Sequence, residues 1–274
     1  MIFIILLIII LFLLLLYDIF KKDKFKNTKY KDTIIFTSGP SLNEIKNHLH
    51  IFTPKFYDKY NIVGIKDSAI FLDKLGIKVD YFLFSHAGYK KEYDTYKFKN
   101  SKVIKNCGLL YSENSFINFF YSIYNNIFLK NCNKVYINTD FNNNIIMNCV
   151  TNDNKNCFDT INKKSKKIIK DGHIVCDQGI PLAIKLKSKN IYCLGWDICG
   201  NSVGQNDYNY FNKEKFTNNK INIFNKKKDI FKFENIREFT KYLPKYLKQH
   251  YNINIYKLSD KQCVNLPLFN INNL

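Results

Sequence analysis

The sequence has almost no arginine. Arg237 is the only one, so lysine supplies all the other basic residues among the 42 in the chain, whose formal net charge is +19. Arginine is the preferred residue for bidentate contacts with bases and phosphates, and its scarcity therefore argues against a nucleic-acid-binding protein. The surplus of lysine would still attract smaller anions, including nucleotides and acidic lipid headgroups.

Metal-binding and glycosylation motifs are missing as well. The sequence contains no HExxH, no pair of CxxC motifs and no DxD triplet, so we expect no tightly bound metal ion and no tightly bound cofactor. No Asn-x-Ser/Thr acceptor occurs although asparagine is abundant, as expected of a domain outside the secretory lumen. The eight cysteines are scattered without framework spacing, which predicts reduced thiols.

The chain begins with a long apolar N-terminal segment. Residues 2–16 are only Ile, Leu and Phe, and the apolar stretch continues to Phe20. About 20 such residues match one membrane span, and the absence of a basic leader and a cleavage site favours an uncleaved anchor over 1–20. The lysines of the linker 21–32 predict a cytosolic globular domain by the positive-inside rule, with residues 1–31 contacting membrane lipid.

The remaining residues, 33–274, predict one α/β domain. Apolar strand-like runs alternate with helical patterns, which implies a mostly parallel sheet covered by helices on both faces. The Asn- and Lys-rich range 138–170 has a weak pattern and is interpreted as a variable loop or lid. Strands are predicted over 34–37, 61–65, 79–84, 135–137, 191–194 and 253–258, and helices over 42–49, 68–75, 114–128, 178–187 and 235–249.

The most informative stretch is the turn Ser38–Ser41 between the first strand and the first helix. Strand, tight turn and helix is the layout that brings backbone N–H groups and a helix N-terminus to a ligand's phosphates. Gly39 would allow close approach of the backbone, and Pro40 suits the helix entrance. The alternative interpretation is an ordinary strand–helix connection in which a serine caps the helix.

Polar residues follow other strands and could meet this turn at the carboxyl edge of the sheet. His86 follows the third predicted strand and could serve as a general base. Asp197 follows the strand 191–194 and could bind a hydroxyl or a metal, or simply cap the next turn. His173 and Asp177 are four residues apart, a spacing that would place them on one helix face.

Six segments of the chain form an ordered set of motifs: Ser38–Leu42, Ile62–Ile65, Gly76–Tyr81, Pro181–Ile184, Asn190–Asp197 and Ile253–Ser259. Together, and in this order, they resemble segments of the MptE-like proteins and the family-42 bacterial sialyltransferases. The resemblance implies a Rossmann-like fold of the GT-A-variant type that binds a nucleotide or a nucleotide sugar, with the turn at 38–41 near the phosphates.

The resulting hypothesis is a membrane-anchored, single-pass glycosyltransferase that moves a sugar from a nucleotide-activated donor to a hydroxyl of a glycan or another acceptor. An alternative is an MptE-like Mg²⁺-dependent pyrophosphokinase with Asp80 and Asp197 as first candidates, and another is a non-catalytic interaction module of the same fold. The catalytic candidates are His86, Asp197 and His173, and the donor-binding candidates are Ser38, Gly39, Pro40, Ser41 and Asn201.

Overall fold

The computed structural model contains an all-parallel sheet at the centre of the domain. Its strand order is β6-β5-β4-β3-β2-β1-β7-β8, and every neighbouring pair is parallel. The structure describes residues 30–84, 104–111, 132–138, 149–155, 157–158, 167–169, 175–199 and 227–274. The strands are β1 (Asp32–Phe36), β2 (Tyr60–Ile65), β3 (Tyr81–Phe84), β4 (Ile104–Tyr111), β5 (Cys132–Asn138), β6 (Lys167–Ile169), β7 (Asn190–Leu194) and β8 (Asn254–Lys257).

Helices connect the strands on both faces of the sheet. A π-helical turn, Val175–Gly179, leads into α4, and a short 3-10 turn, Ile271–Asn273, lies near the end of the chain. Local signals explain some of the boundaries: Thr53 caps α2 by accepting from the Phe56 N–H, and Pro54 occupies its first turn. The helices are α1 (Pro40–Ile51, of 3-10 type), α2 (Pro54–Lys59), α3 (Asp67–Lys74), α4 (Ile180–Lys185) and α5 (Lys227–Tyr251).

Alternate residues of β1 face two separate cores. Ile34 and Phe36 pack in one core with apolar residues of α1, α2 and α3, whereas Ile35 packs in the other with residues of α4 and α5. A strand buried on both faces must be apolar almost throughout, which is why β1 appears in the sequence as a continuous apolar run. The predicted α/β class, with a parallel sheet and helices on both faces, is confirmed.

Two parts of the sheet differ from the sequence prediction. β4 was not predicted, because Lys105, Asn106 and Gly108 interrupt its apolar pattern, yet it pairs with both β3 and β5. The range 138–170, expected to be a variable loop or lid, contains β6 and the fully buried Phe158. This range therefore contributes to the sheet and to the core. The helix predicted over 114–128 lies outside the described residues.

The predicted anchor, 1–20, and the linker up to residue 29 also lie outside the described residues. In the part of the chain that the structure describes, no helix combines the length and apolar character needed to cross a membrane. The long helix α5 spans 25 residues, but one face of it is charged and exposed.

The prediction of reduced thiols is wrong for four cysteines. Cys149 is bonded to Cys157 and Cys199 to Cys263, with Cα–Cα separations of 5.7 and 5.1 Å. The second pair is separated by 64 residues in sequence, so only the fold brings the two sulfurs together. Cys176 and Cys193 are buried in the core and form no disulfide with a described residue.

Candidate functional site

The sheet has a topological switch point between β1 and β7. From β1 the chain builds the sheet outwards through β2 to β6, and it then returns to place β7 on the other side of β1. In open parallel sheets, ligands bind in the crevice that such a reversal opens at the carboxyl ends of the strands. The loops at this place are 37–41 and 195–199, which include two of the segments singled out by the sequence.

Backbone hydrogen bonds join these two loops directly. The Thr37 N–H donates to the Leu194 carbonyl and the Gly39 N–H donates to the Gly195 carbonyl, both at 2.8 Å. The Thr37 hydroxyl also donates to the Gly195 carbonyl. The two loops consequently form one continuous surface, although more than 150 residues separate them in sequence.

Asp197 is buried against the beginning of α1. Its side chain is 4% exposed, and its Oδ2 accepts from the Ser41 N–H at 2.8 Å while Oδ1 accepts from the Ser41 hydroxyl. The Ser41 Oγ in turn accepts from the Gly195 N–H at 3.1 Å. A carboxylate at this position interacts favourably with the positive end of the helix dipole.

The environment of Asp197 favours its protonated form. Burial raises the pKa of Asp197 above its ordinary value and the nearby Glu44 adds to this, whereas the hydrogen bonds from Ser41 and the charge of Lys261 act in the opposite direction. Lys261 lies in the loop after β8 and pairs with Glu44 of α1 at 2.7 Å. That loop is also held to Asp197 itself, because the Cys263 N–H donates to the Asp197 carbonyl at 2.8 Å.

Gly39 is required by contacts inside the protein. A Cβ added at this position would lie 2.3 Å from the Gly195 carbonyl oxygen and 2.5 Å from Asp197 Oδ2. The sequence predicts that a glycine is present here so that a ligand's phosphates can approach the backbone. In the structure, however, the space beside the Cα of Gly39 is filled by the loop after β7.

The amides at the beginning of α1 already have protein acceptors. Pro40 has no N–H, the Ser41 N–H donates to Asp197, and the Leu42 N–H donates to the Gly39 carbonyl at 3.0 Å. An anion at this turn would therefore have to be held by side chains. Ser38 is half-buried, and its Oγ lies 3.5 Å from the Ile65 carbonyl. Lys66, also half-buried, directly follows β2 at the same edge.

The structure brings some predicted site residues together and separates others. Ser38–Ser41 and Asp197 form one cluster, as described above, and Asp177 lies in the π-helical turn before α4. The predicted candidates His86, His173 and Asn201 lie outside the described residues.

Asp80 and Asp197, the first carboxylate candidates for the pyrophosphokinase alternative, lie towards opposite edges of the sheet. Asp80 precedes β3, and its Oδ2 accepts from the Ile62 N–H at 2.8 Å, which places it towards the amino edge of the sheet. Asp197 follows β7 at the carboxyl edge, so the two carboxylates cannot bind one ion. The part of the chain that the structure describes has no cluster of His, Cys, Asp or Glu suited to a metal ion.

Sequence reasoning missed one buried polar side chain at this edge of the sheet. Gln178, in the π-helical turn, is 2% exposed, and neither its Nε2 nor its Oε1 has a hydrogen-bond partner in the part of the chain that is described. No motif marks this glutamine. It becomes conspicuous only once the burial of its amide is known.

No protein-family model matches the chain, and no curated protein matches it. The resemblance to MptE-like proteins and family-42 sialyltransferases therefore depends on the ordered sequence segments alone. The function has to be inferred from the geometry of the crevice between β1 and β7.

Proposed function

We propose that this protein is a membrane-anchored enzyme of the glycosyltransferase type that binds a nucleotide-activated sugar at the carboxyl ends of β1 and β7. The observation that carries the proposal is the topological switch point with the loops 37–41 and 195–199 joined across it. Switch points of this kind are where open α/β sheets bind nucleotides. The motif resemblance supports the finer assignment to a Rossmann-like, GT-A-variant fold.

The described side chains suggest a division of roles. The Ser38 hydroxyl and the Lys66 ammonium would hold the donor phosphates from the accessible side of the crevice. Asp197 would position the beginning of α1 without touching the donor, because its side chain is only 4% exposed and both of its oxygens accept from Ser41. In this proposal Asn201 contacts donor or acceptor hydroxyls, and His86 or His173 deprotonates the acceptor hydroxyl.

The pyrophosphokinase alternative has less support. It depends on carboxylates that hold Mg²⁺ between phosphates, and one of its two candidates, Asp80, lies towards the opposite edge of the sheet from Asp197. A non-catalytic interaction module is the remaining alternative, and the binding experiment below distinguishes it.

The experiment measures binding and turnover with the full chain purified in detergent. CMP, UDP, GDP and ADP and their sugar conjugates are titrated by calorimetry, with and without Mg²⁺. Hydrolysis of the sugar conjugates, and turnover of ATP added as a separate substrate, are followed by release of the free nucleotide. Binding of a nucleotide with Mg²⁺-independent release of the sugar supports the proposal. Mg²⁺-dependent ATP turnover would favour the kinase, and no binding would favour the interaction module.

A pair of lysine variants tests the location of the phosphates. Lys66→Met should weaken nucleotide binding about tenfold, because it removes a charge-assisted contact. Lys55→Met is the matched control: Lys55 is exposed in α2, which precedes β2 and lies near the amino edge of the sheet. Equal affinity in the two variants would contradict a phosphate site beside Lys66.

A further inference from the structure

We infer that the carboxamide of Gln178 binds the base of the nucleotide that the crevice holds. This inference rests on the proposed function, and it adds the group that would select one base over another. It depends on three observations: where Gln178 lies, what its amide lacks, and what surrounds it.

The π-helical turn lies beside the carboxyl ends of β1 and β2. A Cβ added at Gly179 would be 3.3 Å from Ile35 Cδ1 and 3.8 Å from Ile65 Cδ1, and Ile65 is the last residue of β2. Since Ile35 packs in the core of α4 and α5, this turn is on the opposite face of the sheet from α1. Gln178 and the turn 38–41 therefore flank the same edge from two sides.

The amide of Gln178 differs from the other buried polar groups at this edge. Ser41 and Asp197 bond to each other, and the Ser68 hydroxyl bonds to the Phe36 and Ile65 carbonyls at 2.8 Å. Neither amide atom of Gln178 has a partner among the described residues. Buried polar groups are almost always hydrogen-bonded, because burying one without a hydrogen bond costs free energy. A buried amide whose donor and acceptor both have no partner therefore indicates that a ligand supplies the partner.

The chemistry of the amide indicates what that partner is. A carboxamide presents a donor and an acceptor side by side in one plane, and the edge of a nucleobase offers the complementary pair, as in bidentate Gln–adenine contacts. An ionised phosphate oxygen only accepts and would satisfy only the Nε2 donor. A single hydroxyl can donate and accept, but it does not present the two functions side by side in one plane.

The surroundings of the turn also suit a base. Val175, Cys176 and Ile180 are at most 1% exposed and give the turn an apolar environment, the usual setting for the few polar groups that fix a ligand's orientation. Single π-helical turns are also frequent at functional sites.

The test uses Gln178→Met in the full chain, with the four nucleotides CMP, UDP, GDP and ADP as probes. Methionine keeps the length of the side chain and removes both hydrogen-bonding functions. We expect the variant to melt at a higher temperature than the wild type, because an unsatisfied buried amide is gone. We also expect it to bind the preferred nucleotide about tenfold to hundredfold more weakly and to lose the preference among bases.

Asn61→Leu is the matched control. The Nδ2 of Asn61 is likewise buried without a partner among the described residues, but Asn61 lies at the amino end of β2, away from the crevice. Its replacement should leave the affinities and the base preference unchanged. Gln178→Leu provides a second apolar variant if Gln178→Met does not fold.

The outcomes separate this inference from the proposed function. If the wild type binds none of the four nucleotides, the proposed function is wrong and the inference is wrong with it. If the wild type binds one of them and Gln178→Met keeps the same affinity and base preference, only the role of Gln178 is wrong. The inference is supported if Gln178→Met is more stable than the wild type and has lost the base preference, while Asn61→Leu keeps the base preference of the wild type.

Discussion

The carboxylate of Asp197 lies where a bound anion would otherwise stabilise the beginning of α1. It accepts both hydrogen bonds that Ser41 can donate, from the N–H and from the hydroxyl. The Ser41 Oγ then accepts from Gly195, so one serine links the first helix to the loop after β7. At the scale of single residues, Ser41 and Asp197 hold the crevice in shape, and Ser38 is the serine available to a ligand.

The two serines should therefore behave differently when each is replaced by alanine. Ser41→Ala leaves Asp197 with one hydrogen bond and the buried Gly195 N–H with no acceptor, and we expect it to lower the free energy of unfolding by about 1–3 kcal/mol. Ser38→Ala removes only a 3.5 Å contact with the Ile65 carbonyl and should change stability little while weakening nucleotide binding. Urea titrations followed by the fluorescence of Trp196, the only tryptophan, measure the difference. Equal destabilisation by both variants would contradict this assignment.

The pH dependence of stability tests the burial of Asp197. Burial raises its pKa above 3.8, so folding favours the protonated carboxyl. Its contribution to stability is fully present below the unfolded pKa and is lost as the pH rises through the higher folded pKa. Asp197→Asn cannot titrate, and its stability relative to the wild type should improve as the pH rises above about 3.9, the ordinary value for an aspartate, towards neutral.

Urea titrations of wild type and Asp197→Asn at several pH values give that difference. Other carboxyl groups titrate in both proteins, so their effects cancel when one curve is subtracted from the other. A difference that stays constant across the range would show that the pKa of Asp197 is not raised.

At the scale of elements, the turn between β1 and α1 is shaped by the loop that follows β7. Gly39 donates its N–H to the Gly195 carbonyl, and that carbonyl lies 2.3 Å from the position of an added Cβ. The backbone of Gly39 is extended, with φ −71°, so the requirement for glycine comes from close packing between two loops and not from an unusual dihedral angle.

Gly39→Ala should consequently destabilise the fold as well as disturb the crevice. We expect a loss of about 3 kcal/mol, because the Cβ meets a backbone oxygen that cannot move independently. Gly76→Ala is the control: its φ of +82° is unfavourable for alanine, but nothing lies within 4 Å of the added Cβ, and we expect about 1 kcal/mol. Thermal melts of both variants give the ranking, and a Gly39→Ala protein as stable as Gly76→Ala would contradict the observed packing.

At the scale of the whole molecule, the described part of the chain contains one long-range and one local disulfide. Cys199–Cys263 joins the loop after β7 to the loop after β8, and Cys149–Cys157 closes a short segment packed against α5. Disulfides persist in oxidising compartments, whereas the lysines after the apolar segment predict a cytosolic domain. The redox state of these cysteines in cells therefore tests the predicted cytosolic location of the domain.

Removing the long-range disulfide should cost more stability than removing the short one. By loop-closure entropy, replacing Cys199 and Cys263 with serine should cost about 4 kcal/mol and replacing Cys149 and Cys157 about 2.5 kcal/mol, since the pairs enclose 64 and 8 residues. Denaturation under non-reducing conditions measures both losses.

Blocking free thiols before reduction, followed by mass spectrometry of protein from sealed membranes, identifies the linked pairs. If all eight cysteines react before reduction, the cytosolic prediction gains support and the disulfides do not form in cells.

The sequence by itself determined the class of the fold and singled out the turn at 38–41. Strands buried on both faces need nearly continuous apolar residues, so the runs at 34–37 and 191–194 could be recognised without a structure. A Gly-Pro-Ser turn after such a strand predicts a helix entrance for local reasons, and α1 begins at Pro40. β4 could not be recognised, because its polar residues belong to a strand only through pairing with β3 and β5.

Only the tertiary structure decided which hydrogen-bond partners the polar residues at the crevice have. Asp197 and Ser41 are separated by 156 residues, and their partnership depends on β7 returning to the side of β1. The position of Asp80 before β3 leaves it towards the other edge, and the pairing of β7 with β8 brings Cys199 to Cys263. The packing of the turn before α4 buries the amide of Gln178 without a partner among the described residues. Periodicity and turn residues encode short-range structure, whereas these contacts depend on the order of strands, which no local pattern contains.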